Sequence, residues 1–131
     1  GRSYITLQMK VLDSNIIIYS IYPEYSYLRS LVSDRNNAVS AVSIVETLGY
    51  HKISADDKKY YESIFKVLKI LDITPEVIDK AVEIRQSKNI KLGDALIAAT
   101  ALIYDLELNT RNLKDFQSIP DIKLHNPIID V

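Results

Sequence analysis

Short apolar runs alternate with longer helical segments along this chain, and that alternation limits the folds open to it. The run at 9–12 is followed by the turn formers Asp13, Ser14 and Asn15, which predicts a buried first strand ending at Asp13. Four further runs predict strands, at 37–43, 71–74, 106–110 and 122–127. Strands separated by helices are typical of a parallel sheet with both faces covered. We therefore predict an α/β fold with a mostly parallel five-stranded sheet flanked by helices.

Several local signals place the helices between these strands. Thr74 and Pro75 supply an N-cap and a first-turn proline for a helix that follows the third strand. Ser54 and Asp57 form a capping box, with aspartate in place of the usual glutamate, ahead of an amphipathic segment. Pro23 predicts a new helix or a kink after the first strand. The segment 111–120 is predicted to be a loop, because it shows no sustained period.

Length and composition narrow the kinds of protein that fit. A chain of 131 residues is close to the commonest size of a single domain. Residues 1–8 precede the only methionine, Met9, and we expect them to be a remnant upstream of a native start, which leaves one domain over 9–131. The chain has no cysteine, so any metal ion must be held by oxygen or histidine ligands.

Charge and hydropathy exclude two further classes. The formal net charge is -1, which excludes a protein that holds nucleic acid by its overall charge alone. The apolar stretches are shorter than the roughly 20 residues that cross a bilayer, and no signal peptide follows Met9. We expect a soluble, cytoplasmic protein with no membrane association.

Acidic and amide side chains cluster where the predicted strands end. Asp13 ends the first strand, Glu46 lies in the first turns of the helix after the second strand, and Asp94 begins the helix before the fourth strand. Asn112 and Asp115 follow the fourth strand. Ligands of parallel sheets bind outside the carboxyl ends of the strands. We therefore expect these side chains to share one edge of the sheet.

Carboxylates gathered in a cleft repel one another, so a positive partner is expected among them. Mg²⁺ and Mn²⁺ prefer oxygen ligands and are usually bound by one or two carboxylates together with substrate phosphate. This pattern indicates a nuclease or another phosphoryl-transfer enzyme. In that interpretation Asp13 and Asp94 hold the ion, and Glu46 binds it directly or through water.

Helix capping is the alternative explanation for the same acids. Asp13 suits an N-cap, Ser43 and Glu46 fit a capping box, and Asp94 favours the dipole of its helix. Capping does not explain why a charge begins the apolar helix 95–104, where an uncompensated carboxylate is costly. A compensating ion explains that placement.

Four segments of the chain resemble the signature segments of PIN domains, in order and at family-like spacing. They read VLDSNIIIY at 11–19, SAVSIVETL at 40–48, GDALIAATA at 93–101 and LNTRNLKDF at 108–116. The resemblance spans 9–131. By chain length and by the sequences of these motifs, the resemblance is strongest to the VapC-like toxin ribonucleases of prokaryotic toxin–antitoxin pairs.

The resemblance implies a three-layer PIN-like sandwich and a Mg²⁺- or Mn²⁺-dependent endoribonuclease that leaves 5′-phosphate and 3′-hydroxyl ends. It also implies a homodimer and a cognate VapB-type antitoxin. Asp13, Glu46 and Asp94 match the central metal-binding acids of the family. At the fourth acidic position this chain has Asn112 where relatives carry aspartate, and Asp115 is the candidate replacement.

The same motifs suggest supporting residues. Ser14 and Thr110 match hydroxyl positions that orient water, phosphate or a carboxylate, and both also suit a turn at a strand end. Arg111 and Lys114 flank the predicted site and are candidates for contacts with RNA phosphates. Other lysines are interpreted as a solvated helix face, namely Lys52, Lys58 and Lys59.

Other functions are compatible with parts of the pattern. Within the same family, a housekeeping RNA-processing nuclease and a weakly active RNA-binding scaffold remain open. A phosphorelay receiver is disfavoured because the first strand ends in a single acid, Asp13. A nucleotide-binding protein is disfavoured because three glycines leave no loop to cradle phosphates.

Overall fold

The computed structural model describes residues 8–129, which form a parallel five-stranded sheet between two helical layers. The strands are β1 (Lys10–Leu12), β2 (Ala38–Ser40), β3 (Lys69–Leu71), β4 (Glu107–Asn109) and β5 (Leu124–His125). The α-helices are α1 (Ser14–Tyr19), α2 (Arg29–Val32), α3 (Ala41–Leu48), α4 (Ala55–Val67), α5 (Pro75–Ser87), α6 (Leu92–Ile103) and α7 (Leu113–Phe116). A 3₁₀ helix spans Pro23–Leu28. The α/β sandwich predicted from the sequence is confirmed, and the predicted remnant lies, apart from Gln8, outside the described residues.

Both faces of the sheet are buried, because successive strand side chains point to opposite faces and each face has a helical layer over it. Val11 and Leu12 are both fully buried, and they belong to different apolar clusters. Side chains of α5, α6 and α7 pack on the Val11 side, and side chains of α1, α2 and α4 pack on the Leu12 side. No helix within residues 8–129 is both long enough and apolar enough to span a membrane.

The strand order places a crevice beside β1. The order across the sheet is β3-β2-β1-β4-β5, and every neighbouring pair is parallel. The chain therefore builds β2 and β3 on one side of β1 and then crosses to the other side for β4 and β5. At such a reversal the connections leave in opposite directions and open a crevice at the carboxyl ends of the strands. Leu12 pairs with Asn109, so Asp13 and Thr110 leave the sheet side by side at that crevice.

Three of the local signals are confirmed. The side chain of Thr74 accepts the backbone N–H of Val77 at 3.2 Å, so it caps α5 as predicted. Ser54 accepts the backbone N–H of Asp57 at 3.0 Å and caps α4. Pro23 begins the 3₁₀ helix.

Three boundary predictions are wrong. The second strand was predicted over 37–43 and spans only Ala38–Ser40, because Ser40 caps a helix that begins at Ala41. The third strand was predicted over 71–74 and lies at Lys69–Leu71, because its ladder with β2 runs from Ala38 opposite Lys69 to Ser40 opposite Leu71. The predicted loop over 111–120 contains the helix α7, which is too short to show a helical period in the sequence.

Candidate active site

Asp13 lies at the crevice between β1 and β4 and is nearly enclosed. Its side chain caps α1, as the capping alternative predicted, because Oδ1 accepts the backbone N–H of Ser14 at 2.8 Å. Its other oxygen, Oδ2, accepts the hydroxyl of Thr110 at 2.7 Å and the amide of Asn15 at 3.3 Å. The backbone N–H of Asp13 donates to the carbonyl of Asn109 at 2.9 Å. The ends of both strands therefore fix this carboxylate.

The charge of Asp13 has no cationic partner among residues 8–129. The pKa of Asp13 is raised to about 6, chiefly by burial and to a smaller extent by the charges of Asp94 and Glu46, while the hydrogen bonds from Thr110 and Ser14 oppose the shift. The residue is 4% exposed and forms no ion pair within the described part of the chain. A buried carboxylate in this state favours the binding of a proton or a cation.

Glu46 approaches the crevice from α3. Its Oε1 accepts the hydroxyl of Ser14 at 2.7 Å, and that hydroxyl lies 2.8 Å from the buried hydroxyl of Ser43. On the other side, a Cβ built on Gly93 would collide with Oε2 of Glu46. A residue with a side chain at position 93 would displace the Glu46 carboxylate from its present position. The serine pair and the glycine therefore hold Glu46 from opposite sides.

The predicted capping box of Ser43 and Glu46 is wrong. The helix α3 begins at Ala41, and its N-cap is Ser40, whose side chain accepts the backbone N–H of Val42 at 3.1 Å. Since Ser40 satisfies the first turn, Ser43 and Glu46 are free to meet Ser14 instead.

Asp94 lies in the first turn of α6, where the sequence placed it. It is half-buried, and burial raises its pKa, with further upward contributions from the charges of Glu46 and Asp115 and an opposing one from Lys91. The following turns of α6 are packed into the core through small side chains. The capping interpretation accounts for the position of Asp94 near the helix dipole, and does not account for its proximity to other carboxylates.

Asn112 and Asp115, the two candidates for the fourth acidic position, lie in different surroundings after β4. The side chain of Asn112 is exposed and makes no hydrogen bond to any residue of 8–129, and its backbone N–H donates to the hydroxyl of Thr110 at 3.0 Å. Asp115 is exposed on α7 and lines a cleft together with Asp94. Of the two residues proposed for the fourth position, Asp115 is the one whose charge reaches Asp94.

Arg111 is held at the edge of the site by aromatic and amide contacts. Its guanidinium carbon lies 5.2 Å from the ring centroid of Tyr19, and Tyr19 stacks on Tyr25 with centroids 5.0 Å apart. The backbone N–H of Arg111 donates to Oδ1 of Asn15 at 3.3 Å. A cation over a ring face is attracted by its quadrupole, so the exposed guanidinium has a preferred position beside Asn15.

The donor set suits a hard cation in type, although no metal centre is preformed. Within residues 8–129, no group of three or more Asp, Glu and His side chains is arranged to hold a metal ion. The charges of Asp94 and Glu46 nevertheless raise the pKa of Asp13, and the charges of Glu46 and Asp115 raise that of Asp94. All four supply oxygen ligands, and Mg²⁺ and Mn²⁺ prefer oxygen. The uncompensated charge of buried Asp13 fits a cation at this position.

Three residues in the network around the acids were not assigned to the site from the sequence. Asn15 binds Asp13, Ser43 binds Ser14, and Gly93 borders Glu46. The one usable signal was the placement of a rare glycine directly before an acid at 93–94, because glycine at a helix start is favoured where another group approaches closely.

Comparison with known proteins gives consistent matches along almost the whole chain. The PIN domain family model matches residues 10–121. Ribonuclease VapC2 of Rickettsia felis is 29% identical over 128 residues, which cover 88% of this chain and 96% of that protein. The structure of a toxin–antitoxin complex from Klebsiella pneumoniae has a chain that is 30% identical with a TM-score of 0.73, covering 92% of this chain and 99% of that one. VapBC2 from Rickettsia felis, solved bound to a DNA fragment from its promoter, gives 25% identity and a TM-score of 0.75, covering 91% and 98%.

Proposed function

Since the chain belongs to the PIN domain family, we propose that it is a divalent-metal-dependent endoribonuclease, the toxin of a type II toxin–antitoxin pair. The observation that carries this proposal is the carboxylate of Asp13, which is 4% exposed, lacks an ion pair within residues 8–129 and is coupled to Glu46 and Asp94. Capping α1 does not require a charge, because Asn and Ser cap helices as well, and burying an unpaired charge is costly. In a site that binds a cation and phosphate, the unpaired carboxylate is a ligand for the cation.

In this proposal Asp13 and Asp94 hold Mg²⁺ or Mn²⁺, and Glu46 binds it directly or through a water molecule. Asp115 supplies a further negative charge, and Asn112 offers a neutral oxygen. The chemistry that a divalent ion supplies here is a lower pKa for water and compensation of charge on the scissile phosphate.

The residues around the acids position them. The hydroxyl of Thr110 and the backbone of Ser14 fix the two oxygens of Asp13, and the hydroxyl of Ser14 orients Glu46. Such hydrogen bonds hold catalytic carboxylates within the narrow range of geometry that the reaction requires. Arg111 and Lys114 lie at the margins of the site, where a cation contacts the RNA backbone.

Assembly with an antitoxin and with a second copy completes the proposal. Solved relatives are toxin–antitoxin complexes, which supports a VapB-type protein partner for this chain. Exposed apolar side chains of α5 and α6, including Ile78, Val82 and Leu92, border an apolar groove of about 330 Å³, which supports a homodimer. We place this activity in the cytoplasm, where the RNA substrate is found.

The decisive experiment compares cleavage of a mixed pool of structured and single-stranded RNA by the wild type and by Asp94→Asn, with Mg²⁺, with Mn²⁺ and with EDTA. The exposed Asp79→Asn is a matched control that removes the same charge far from the crevice. We expect cutting that requires the metal and falls at least about 100-fold in Asp94→Asn, with no change in the control. A folded wild type that neither cuts RNA nor binds the ions in calorimetry would refute the proposal and leave a scaffold.

A further inference from the structure

A cleft next to Asp94 carries three lysines, and the catalytic proposal gives a role to only one of them, Lys114. It has a volume of about 400 Å³, and the residues that characterise it are Lys88, Asn89, Lys91, Asp94, Lys114 and Ser118. The first three come from the connection between α5 and α6, and the last two come from α7 and the turn after it. Two segments far apart in sequence therefore bring their cations to one opening.

The three lysines are available for a ligand. None of them forms an ion pair with any residue of 8–129, although Asp94 and Asp115 also border the cleft. Lys91 and Lys114 are exposed, and Lys88 is half-buried. Asn89 and Ser118 are exposed polar side chains that add hydrogen-bond donors. The cleft therefore has more positive than negative side chains, and part of its negative charge belongs to the acids of the site.

The cleft lies where a nucleic-acid strand bound over the acids can reach it. Arg111 lies at the Asp13 end of the site through its bond to Asn15, whereas the cleft borders Asp94. Cations therefore lie near both Asp13 and Asp94. A strand whose scissile phosphate lies over the acids then extends toward both, and lysines act as point charges for its phosphates.

We propose that the cleft lined by Lys88, Lys91 and Lys114 binds a phosphate of the RNA strand on the Asp94 side of the bond that is cut. The inference rests on the proposed function and names how its substrate is held. The volume lies within the range of about 300–1,000 Å³ that is usual for small-molecule sites, which suits a nucleotide unit rather than an inorganic ion alone.

The test measures binding rather than cleavage. The double variant Lys88→Gln, Lys91→Gln keeps most of each side-chain stem, and Lys58→Gln, Lys59→Gln on the exposed face of α4 is the matched control for charge. Both pairs are placed in the full chain with Asp13→Asn, so that no strand is cut. Fluorescence anisotropy with a labelled 12-nucleotide single-stranded RNA in Mg²⁺, from 50 to 300 mM salt, gives the affinity and its salt dependence.

One phosphate contact contributes about fivefold to affinity at 0.1 M salt, because it adds about 0.7 to the slope of log K against log salt. We expect the cleft pair to lose about that factor and to reduce the slope by about 0.7, while the control pair changes less than about twofold. Equal losses in both pairs, or no loss in the cleft pair, would overturn the inference. Loss of inorganic phosphate binding with unchanged RNA binding would also overturn it, by showing a site for a free anion.

Failure of the proposed function has a different signature. It appears as a wild-type protein that does not cut RNA with Mg²⁺ or Mn²⁺, whatever the two lysine pairs do to binding. Circular dichroism melts of both double variants establish that any loss of affinity belongs to a folded protein.

Discussion

Replacing Asp13 by asparagine is expected to make the metal-free protein more stable at neutral pH while it abolishes RNA cleavage. The reason is that the folded state holds an ionised carboxylate in a nearly enclosed position without a cation among the described residues. Asparagine has nearly the same shape and carries no charge. As a residue required for catalysis, Asp13 is therefore expected to destabilise the folded protein when no ligand is bound.

The size of the effect follows from the pKa of Asp13. Burial, first of all, raises that pKa from 3.8 to about 6, and two units at about 1.4 kcal/mol each correspond to about 3 kcal/mol. The substitution also has a cost, because an amide nitrogen in place of Oδ2 accepts neither the hydroxyl of Thr110 nor the amide of Asn15, and the two lost bonds remove about 2 kcal/mol. The expected net gain in the free energy of unfolding at neutral pH is about 1 kcal/mol.

The pH dependence has a definite sign. Below about pH 4 the carboxyl of Asp13 is protonated in both the folded and the unfolded chain, so the wild type carries no penalty. Between about pH 4 and 6 the unfolded chain loses its proton first, and the stability of the wild type falls. Above about pH 6 the full penalty is present. The stability of Asp13→Asn relative to the wild type should therefore be lowest at pH 4, where mainly the lost hydrogen bonds count, and should rise by about 3 kcal/mol by pH 7.5.

Urea unfolding in EDTA at pH 4, 5, 6 and 7.5 measures this difference, with Asp79→Asn as a control for removing an exposed acid. Addition of Mg²⁺ at pH 7.5 should stabilise the wild type and leave Asp13→Asn unchanged, since ligands stabilise only the state that binds them. Two results would show that the charge of Asp13 does not destabilise the fold. One is an asparagine variant that is less stable than the wild type at pH 7.5, and the other is a difference in the free energy of unfolding that is the same at pH 4 and pH 7.5.

Two further substitutions distinguish residues that matter for activity from residues that matter for stability. Gly93→Ala places a Cβ against Oε2 of Glu46, whose exposed side chain moves aside cheaply. The free energy of unfolding in urea should stay equal or rise by up to about 1 kcal/mol, while the cleavage rate falls about 100-fold. Full activity would mean that Glu46 needs no fixed position. Thr74→Ala removes the cap of α5 and should lower the free energy of unfolding by about 1 kcal/mol without changing the cleavage rate, as urea titration and an RNA assay would measure; an unaltered stability would contradict the capping assignment.

The predicted helices and strands are correct where neighbouring residues alone define them, and wrong where contacts with distant parts of the chain define them. The N-cap at Thr74 and the strand before Asp13 depend on neighbouring residues alone, and both are confirmed. The third strand was misplaced because 69–71 and 71–74 are similarly apolar, and only the ladder with β2 selects the first. The capping box of Ser43 and Glu46 fits by spacing, but Ser40 already occupies the cap.

The sequence by itself determined that parallel strands alternate with helices and that acids follow their carboxyl ends, because periodicity and turn chemistry are local properties. The tertiary structure alone decided which of those ends are neighbours. The bond between Thr110 and Asp13 joins residues 97 positions apart, and it exists because the chain crosses back to place β4 beside β1. The same crossing brings Gly93 to Glu46 and collects Lys88, Lys91 and Lys114 at one cleft. Strand order depends on how whole layers pack, and no short window of sequence contains that information.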